Sequence, residues 1–200
     1  MKNEVRQPQQ ERSIEKKNKI IEAGYQLFSE VGYYGTNTAE IAKRAGVSTG
    51  IVYGYFLDKR DILICVLELY VNKVFQPYFK MFEKITPPVD FKAVIEKTIE
   101  QTIKTHKQNR KMHEVLHSLA SSDEAVNAKF IHLEDEITIK ISKKLAELNV
   151  NVVNAVEKIH FAMDVIQSFS HEYVFDKHDY LDYEVMKDMV IETLVRLFQD

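Results

Sequence analysis

The sequence predicts an all-α protein, with a small three-helix unit at its N-terminus and a larger helical region behind it. Three observations carry this. Apolar residues recur three and four positions apart through almost the whole chain, and no stretch alternates at period two as a strand would. Two short helical patterns meet at a tight turn within residues 36–59, TNTAEIAKRAGVSTGIVYGYFLDK. The charge is also divided: residues 1–60 hold ten Lys and Arg against seven Asp and Glu, while the remainder holds seventeen against twenty-three. A basic head beside an acidic body suits contact with a polyanion through the head alone.

Residues 1–12, MKNEVRQPQQER, are polar and Gln-rich and have nothing to bury, so a disordered arm is expected. Its Lys2, Arg6 and Arg12 could reach a minor groove. From Ser13 to Val31, the set Ile20, Ile21, Ala23, Gly24, Leu27, Phe28 and Val31 marks a first helix that Gly32 ends. Asn37 and Glu40 then stand at capping-box spacing and start a second helix. Ile41, Ala42 and Ala45 give that helix one small apolar face, and Gly46 suits the left-handed C-terminal position. Ser48 caps a third helix in which Ile51, Val52 and Phe56 point inward. Thr49, Gly50, Tyr53 and Tyr55 stay on or near the surface. This is a helix-turn-helix arrangement, whose second helix enters the DNA major groove. Small polar residues at its start let the backbone approach, and Tyr53, Tyr55 and Lys59 are donors of the kind that hold phosphate oxygens.

After Lys59 a long apolar run from Ile62 to Phe82 predicts a connecting helix, with a kink or break expected near residues 73–77 because of Pro77. Thr86-Pro87-Pro88 reads as a linker. Further helical patterns follow from Phe91 to about Asn109, from Met112 to Leu119, and from Val126 to Leu148, with Ser121-Ser122-Asp123 as break and cap. Asn149 to Asn151 reads as a turn. The last two helices are expected at about 151–175 and 183–198, joined by an acidic, aromatic surface connector, DKHDYLDYE, over 176–184. Both are apolar on more than one face, through Ile166, Phe169 and Tyr173 on one and Ile191, Val195 and Phe198 on the other. The organisation read from this is an arm at 1–12, a DNA-binding domain at 13–59 and a regulatory and dimerisation domain at 60–200.

A hydrophobic share of 45% with 28% charged residues allows an ordinary globular core. The single cysteine, Cys65, permits no internal disulfide and fits a reducing cytoplasm. Its apolar surroundings read as those of a buried structural thiol. No apolar stretch of about 18 residues is seen, and the mixed-charge N-terminus is not a signal peptide, so no membrane partner is expected and the location is read as cytoplasmic.

The run from Gly32 to Lys59, G-Y-x-G-T-x-T-x-E-I-A-x-x-A-G-V-S-x-G-x-x-Y-x-Y-F-x-x-K, resembles the DNA-binding signature of TetR/AcrR-type transcriptional repressors. The resemblance implies that Thr38 at the start of the first short helix, and Ser48, Thr49, Gly50, Tyr53 and Tyr55 in the second, lie against a double-stranded operator, with Lys59 on a phosphate. Some relatives place an Arg for base reading where this chain has Ala39, so direct readout is expected from Thr49, Gly50 and the tyrosines, aided by DNA shape. It further implies that the last two helices pair with those of a second subunit in a four-helix interface. Such a homodimer would present two reading heads to a palindromic operator. A small-molecule effector would occupy the body and release the repressor. Tyr78, Phe82, Met112, His113, Phe130, Met163 and Gln167 have the character expected of that pocket. No cofactor is implied.

One pattern points elsewhere. His113-Glu114-Val115-Leu116-His117 reads H-E-x-x-H, the zinc-peptidase spacing, but no third ligand follows at the required distance. Glu114 and His117 with Glu157 and His160 have the paired spacing of di-iron bundles, yet the inward positions of candidate partner helices are apolar. The histidines read better as core or boundary residues, and neither a catalytic nor a metal site is assigned. A helical metal enzyme, or a binding module using the head for protein contacts, are the rival readings.

Overall fold

The computed structural model describes residues 11–199, so the arm expected over 1–10, with Lys2 and Arg6, lies outside the described residues. Among the described residues there are nine helices and no strand. They are α1 Glu11–Val31, α2 Thr38–Ala45, α3 Thr49–Tyr55, α4 Lys59–Glu83, α5 Phe91–Gln108, α6 Arg110–Ala120, α7 Glu124–Glu147, α8 Ala155–Phe175 and α9 Tyr183–Gln199.

By packing, the chain divides into two compact units. One takes the residues up to Lys73 together with Asn109–Phe130; the other takes Val74–Gln108 with the residues from Ile131 onward. This division differs from a boundary at residue 59. The reason is that α6 packs on α1 and buries Met112, Leu116 and Leu119 in the first unit, where the early residues of α4 also belong.

The core of the first unit is built on α1. Ile20, Phe28, Ile41, Val52, Ile62, Leu63 and Val66 are fully buried. Gly24 lets α1 and α4 meet closely: a Cβ there would stand 2.8 Å from Ile62 Cγ2. The second unit has its core where α5, α8 and α9 pack together, around Ile99, Ile166, Phe169, Ile191 and Leu194. Phe91 and Phe198 stack at 5.1 Å beside it.

Several expectations need correction. Glu11 and Arg12 belong to α1 and not to the arm. Of the kink or break expected near residues 73–77, the break does not occur: α4 runs through Pro77, which lies exposed inside it. Proline has no N–H to offer the carbonyl of Lys73, and neighbouring turns carry the helix past that gap. α4 is also long and apolar enough, by length and composition, to cross a membrane. Its apolar residues Ile62, Leu63, Val66, Leu67, Tyr70, Val74 and Tyr78 are instead buried in protein. The turn before α8 is longer than expected, because Asn149 and Asn154 both take left-handed backbone, at φ 56° and 54°, and α8 starts only at Ala155. The connector 176–184 is not wholly on the surface. Tyr183 is buried; its hydroxyl donates to Glu172 and accepts from the His178 N–H, both at 2.9 Å. Finally, Ile166, Phe169 and Ile191 face the core of their own chain. The second apolar faces are made by Phe161, Val185 and Met189, which are 51%, 55% and 62% exposed.

Candidate nucleic-acid interface and ligand cavity

The turn between α2 and α3 is held by its own backbone and caps. Asn37 Oδ1 accepts from the Glu40 N–H at 3.0 Å, and Glu40 Oε2 accepts from the Asn37 N–H at 3.1 Å, closing the capping box. Gly46 sits at φ 69°, in the left-handed region, and the Val47 N–H donates to the Ala42 carbonyl at 3.0 Å. Ser48 Oγ accepts from the Ile51 N–H at 3.3 Å and starts α3. Val52 and Phe56 anchor α3 in the core.

What remains outside is the set expected at a DNA surface. Ser48, Thr49 and Gly50 are exposed, Tyr53 is 57% exposed, and Thr38 is half-buried at the start of α2. Gly50 is not required by the interior, since a Cβ there would meet only Ser48 Oγ, at 4.0 Å. Ala39 is exposed, as a base-reading position would be.

Two residues are placed differently from their neighbours. Tyr55 is half-buried and its hydroxyl shares a 2.7 Å hydrogen bond with Ser13 Oγ of α1. Lys59 Nζ donates to the carbonyls of Tyr33 and Thr36, each at 2.7 Å, and lies 4.2 Å from the centre of the Tyr33 ring. Partial burial pushes its pKa down. Lys59 therefore ties α4 to the turn that leads into α2, with two of its three hydrogens already engaged. Sequence reasoning missed this because the partners are backbone carbonyls, which no side-chain pattern marks. It also passed over Tyr34 and Lys43, which are exposed beside the helix-turn-helix. Their signal was polarity outside the apolar stripe.

Further charges brace this unit. Arg44 forms a two-pronged pair with Glu30, at 2.8 and 2.9 Å. Arg60 does the same with Asp123, the N-cap of α7, at 2.5 and 2.8 Å. Asp123 also accepts from the N–H groups of Ala125 and Val126. The guanidinium and those amides hold its carboxyl down at about 2.

The seven residues expected around an effector are divided between the units. Met112 and His113 are buried, and Phe130 half-buried, in the first. Tyr78, Phe82, Met163 and Gln167 belong to the second. Tyr78 is buried, and its hydroxyl donates to Thr102 Oγ1 at 2.9 Å. Gln167 is exposed. Phe82 and Met163 both line one apolar cavity of about 80 Å3, whose wall also involves α5, α7, α8 and α9.

The H-E-x-x-H residues do not assemble as ligands. The His113 and His117 rings lie 4.1 Å apart, but Glu114 is exposed and pairs with Arg110 at 3.2 Å. His160 stands 3.8 Å from Asp164. Among the described residues, no three His, Cys, Asp or Glu side chains gather as a metal site.

The two capped helices with their left-handed glycine turn define a helix-turn-helix DNA-binding head. Residues 20–66 match the family of bacterial regulatory proteins, tetR family. The transcriptional regulator HbdR of Aromatoleum sp. is 43% identical over 76 residues, covering 38% of this chain and 33% of that protein. The regulator BetI of Escherichia coli is 44% identical over 48 residues, covering 24% of this chain and 25% of that one. The head thus matches the DNA-binding region of TetR-family helix-turn-helix transcriptional regulators, and the aligned stretches span no more than about a third of these relatives. The all-helical fold extends further: a TetR-family structure from Mesorhizobium loti superposes with a TM-score of 0.75 at 16% identity, covering 94% of this chain and 98% of that one.

Proposed function

We propose that the chain is a homodimeric, cytoplasmic repressor that binds a palindromic operator and leaves it when a small molecule occupies the body. The observation that carries this reading is the presentation of Ser48, Thr49, Gly50 and Tyr53 at an exposed start of α3, whose other side is locked into the core. Two such heads related by a two-fold axis would meet successive major grooves. Exposed Phe161 on α8 with Val185 and Met189 on α9 supports pairing of those helices with a second copy. An effector would act only through its differential affinity for the DNA-fitting and non-fitting arrangements. Catalysis has no part in this reading.

The test is selection of duplexes from a random pool by the full-length protein, followed by binding to the selected site and to scrambled DNA. A two-fold symmetric consensus bound at least about a thousandfold better than scrambled DNA at physiological salt is expected. In Thr49→Ala the preference at one base pair per half-site should relax, by about 1–3 kcal/mol. Equal affinity for all duplexes would sink the reading, and an unchanged preference in the variant would remove Thr49 from base recognition.

A further inference from the structure

The cavity in the body is a hydrocarbon space with a single charge on its wall. Of its sixteen lining residues only Thr98 and Lys144 are polar. Thr98 spends its hydroxyl hydrogen inside α5, donating to the Val94 carbonyl at 2.7 Å. Lys144 is half-buried near the end of α7, and among the described residues its side chain makes no ion pair or hydrogen bond. Nine lysines and arginines among the described residues stand in ion pairs with carboxylates, including Arg60, Lys73 and Lys129. A half-buried lysine on the wall of an apolar cavity is a site for one anionic group attached to an apolar chain.

The size narrows the chain. An apolar cavity of about 150 Å3 stays dry and accepts benzene. One of about 80 Å3 holds about half as much, or a straight chain of about four carbons, and excludes a flat ring. Ile95, Ile141, Leu145 and Ile166 give it aliphatic walls.

We propose that this cavity binds a short straight-chain aliphatic carboxylate, its chain between Ile95, Ile141, Leu145 and Ile166 and its carboxylate on Lys144 Nζ. The ligand class rests on the effector reading above only for its consequence at DNA; the binding itself stands on the cavity and the lysine.

The experiment is calorimetric titration of the full-length protein with the sodium salts of straight-chain acids from two to eight carbons, and with the matching alcohols. Affinity should rise about fourfold for each methylene, the equivalent of about 0.8 kcal/mol, until the cavity is full at about four buried carbons, and then level off. Lys144→Met keeps the apolar stem and should weaken the acids at least about tenfold while leaving the alcohols unchanged. Lys144→Arg should retain acid binding, and because the position is half-exposed both variants should melt like the parent. Ile141→Phe, checked by its melting curve, should abolish the dependence on chain length. No saturable binding of any acid at millimolar concentration, an affinity independent of chain length, or equal weakening of acids and alcohols in Lys144→Met would each overturn the proposal. The last of these is what a lysine merely lying along the wall would give. If the acids bind as described but leave operator affinity unaltered, the ligand class holds and the effector reading fails. If other compounds release the operator while no acid binds, this proposal fails alone.

Discussion

The two compact units are held by different chemistry. In the first, polar ties recur at every turn: Asn37 with Glu40, Ser48 on α3, Lys59 on two carbonyls, Arg44 with Glu30 and Arg60 with Asp123. Lys111 adds a bond to the Glu30 carbonyl, and Lys129 pairs with Glu68. In the second, the ordering is mostly apolar, through the cluster around Ile99, Ile166 and Leu194, and it leaves a cavity. Hydrogen bonds fix direction as well as distance, whereas apolar contacts fix only volume. A surface that must match base edges needs the first kind of restraint. A pocket that must accept a foreign molecule tolerates the second.

The comparison can be broken most severely at Phe28, which is fully buried on α1 and meets the Tyr33 ring at 5.4 Å. Phe28→Ala should cost about 3–5 kcal/mol, lowering the unfolding midpoint in urea. Because the first unit is one tightly tied body, DNA binding should fall with it. If operator affinity survived at the parental level while stability dropped by that amount, the head would be less dependent on this core than its ties suggest.

How much of this was readable beforehand follows the same division. Asn37, Glu40, Gly46 and Ser48 act on backbone within four residues of themselves, so their roles could be read from spacing alone, and the structure has each where spacing put it. Lys59, Tyr55 and Asp123 act on partners 23 to 63 residues away, and no local pattern names such partners. The helices of the body were legible from their periodicity, but their assembly was not. The spacing that marks Met112, His113, Phe130, Met163 and Gln167 as inward-facing does not say into which unit they face, and Gln167 faces solvent.

Lys59 sharpens the comparison. As a phosphate contact, its loss would lower the salt dependence of DNA binding by about 0.9 in the log–log slope. As a tie to the Tyr33 and Thr36 carbonyls, its loss would leave that slope unchanged and remove charge-assisted hydrogen bonds worth about 1.5–3 kcal/mol. We expect Lys59→Met to follow the second course. Urea unfolding and operator affinity at several salt concentrations separate the two, and a slope reduced by about one without loss of stability would restore the phosphate role.

Asp123 gives a pH signature. Its carboxyl is held down to about 2 in the folded chain, from an ordinary value of 3.8. A depressed carboxyl contributes stability that is fully present above its unfolded pKa and is lost as pH falls through its folded one. The window is therefore about pH 4 down to about pH 2. Asp123→Asn should retain the cap on α7 but flatten the acid side of the melting-temperature profile in this window. A profile that still falls as in the parent would assign the acid loss to other carboxylates.

The smallest effect tests whether the head's tyrosines share one role. Tyr53 is exposed, while the Tyr55 hydroxyl shares a hydrogen bond with Ser13 Oγ. If Tyr55 works through α1, Tyr55→Phe should cost about 0.5–1.5 kcal/mol of stability, and Ser13→Ala should cost a similar amount. Combining them should add little, because the second change removes a bond already gone. Operator affinity of the folded variants should match the parent, whereas Tyr53→Phe should weaken DNA binding and leave the melting temperature alone. The opposite pairing, with Tyr55→Phe impairing only DNA affinity and showing no coupling to Ser13, would mean that Tyr55 exchanges its internal bond for a phosphate when the operator is engaged.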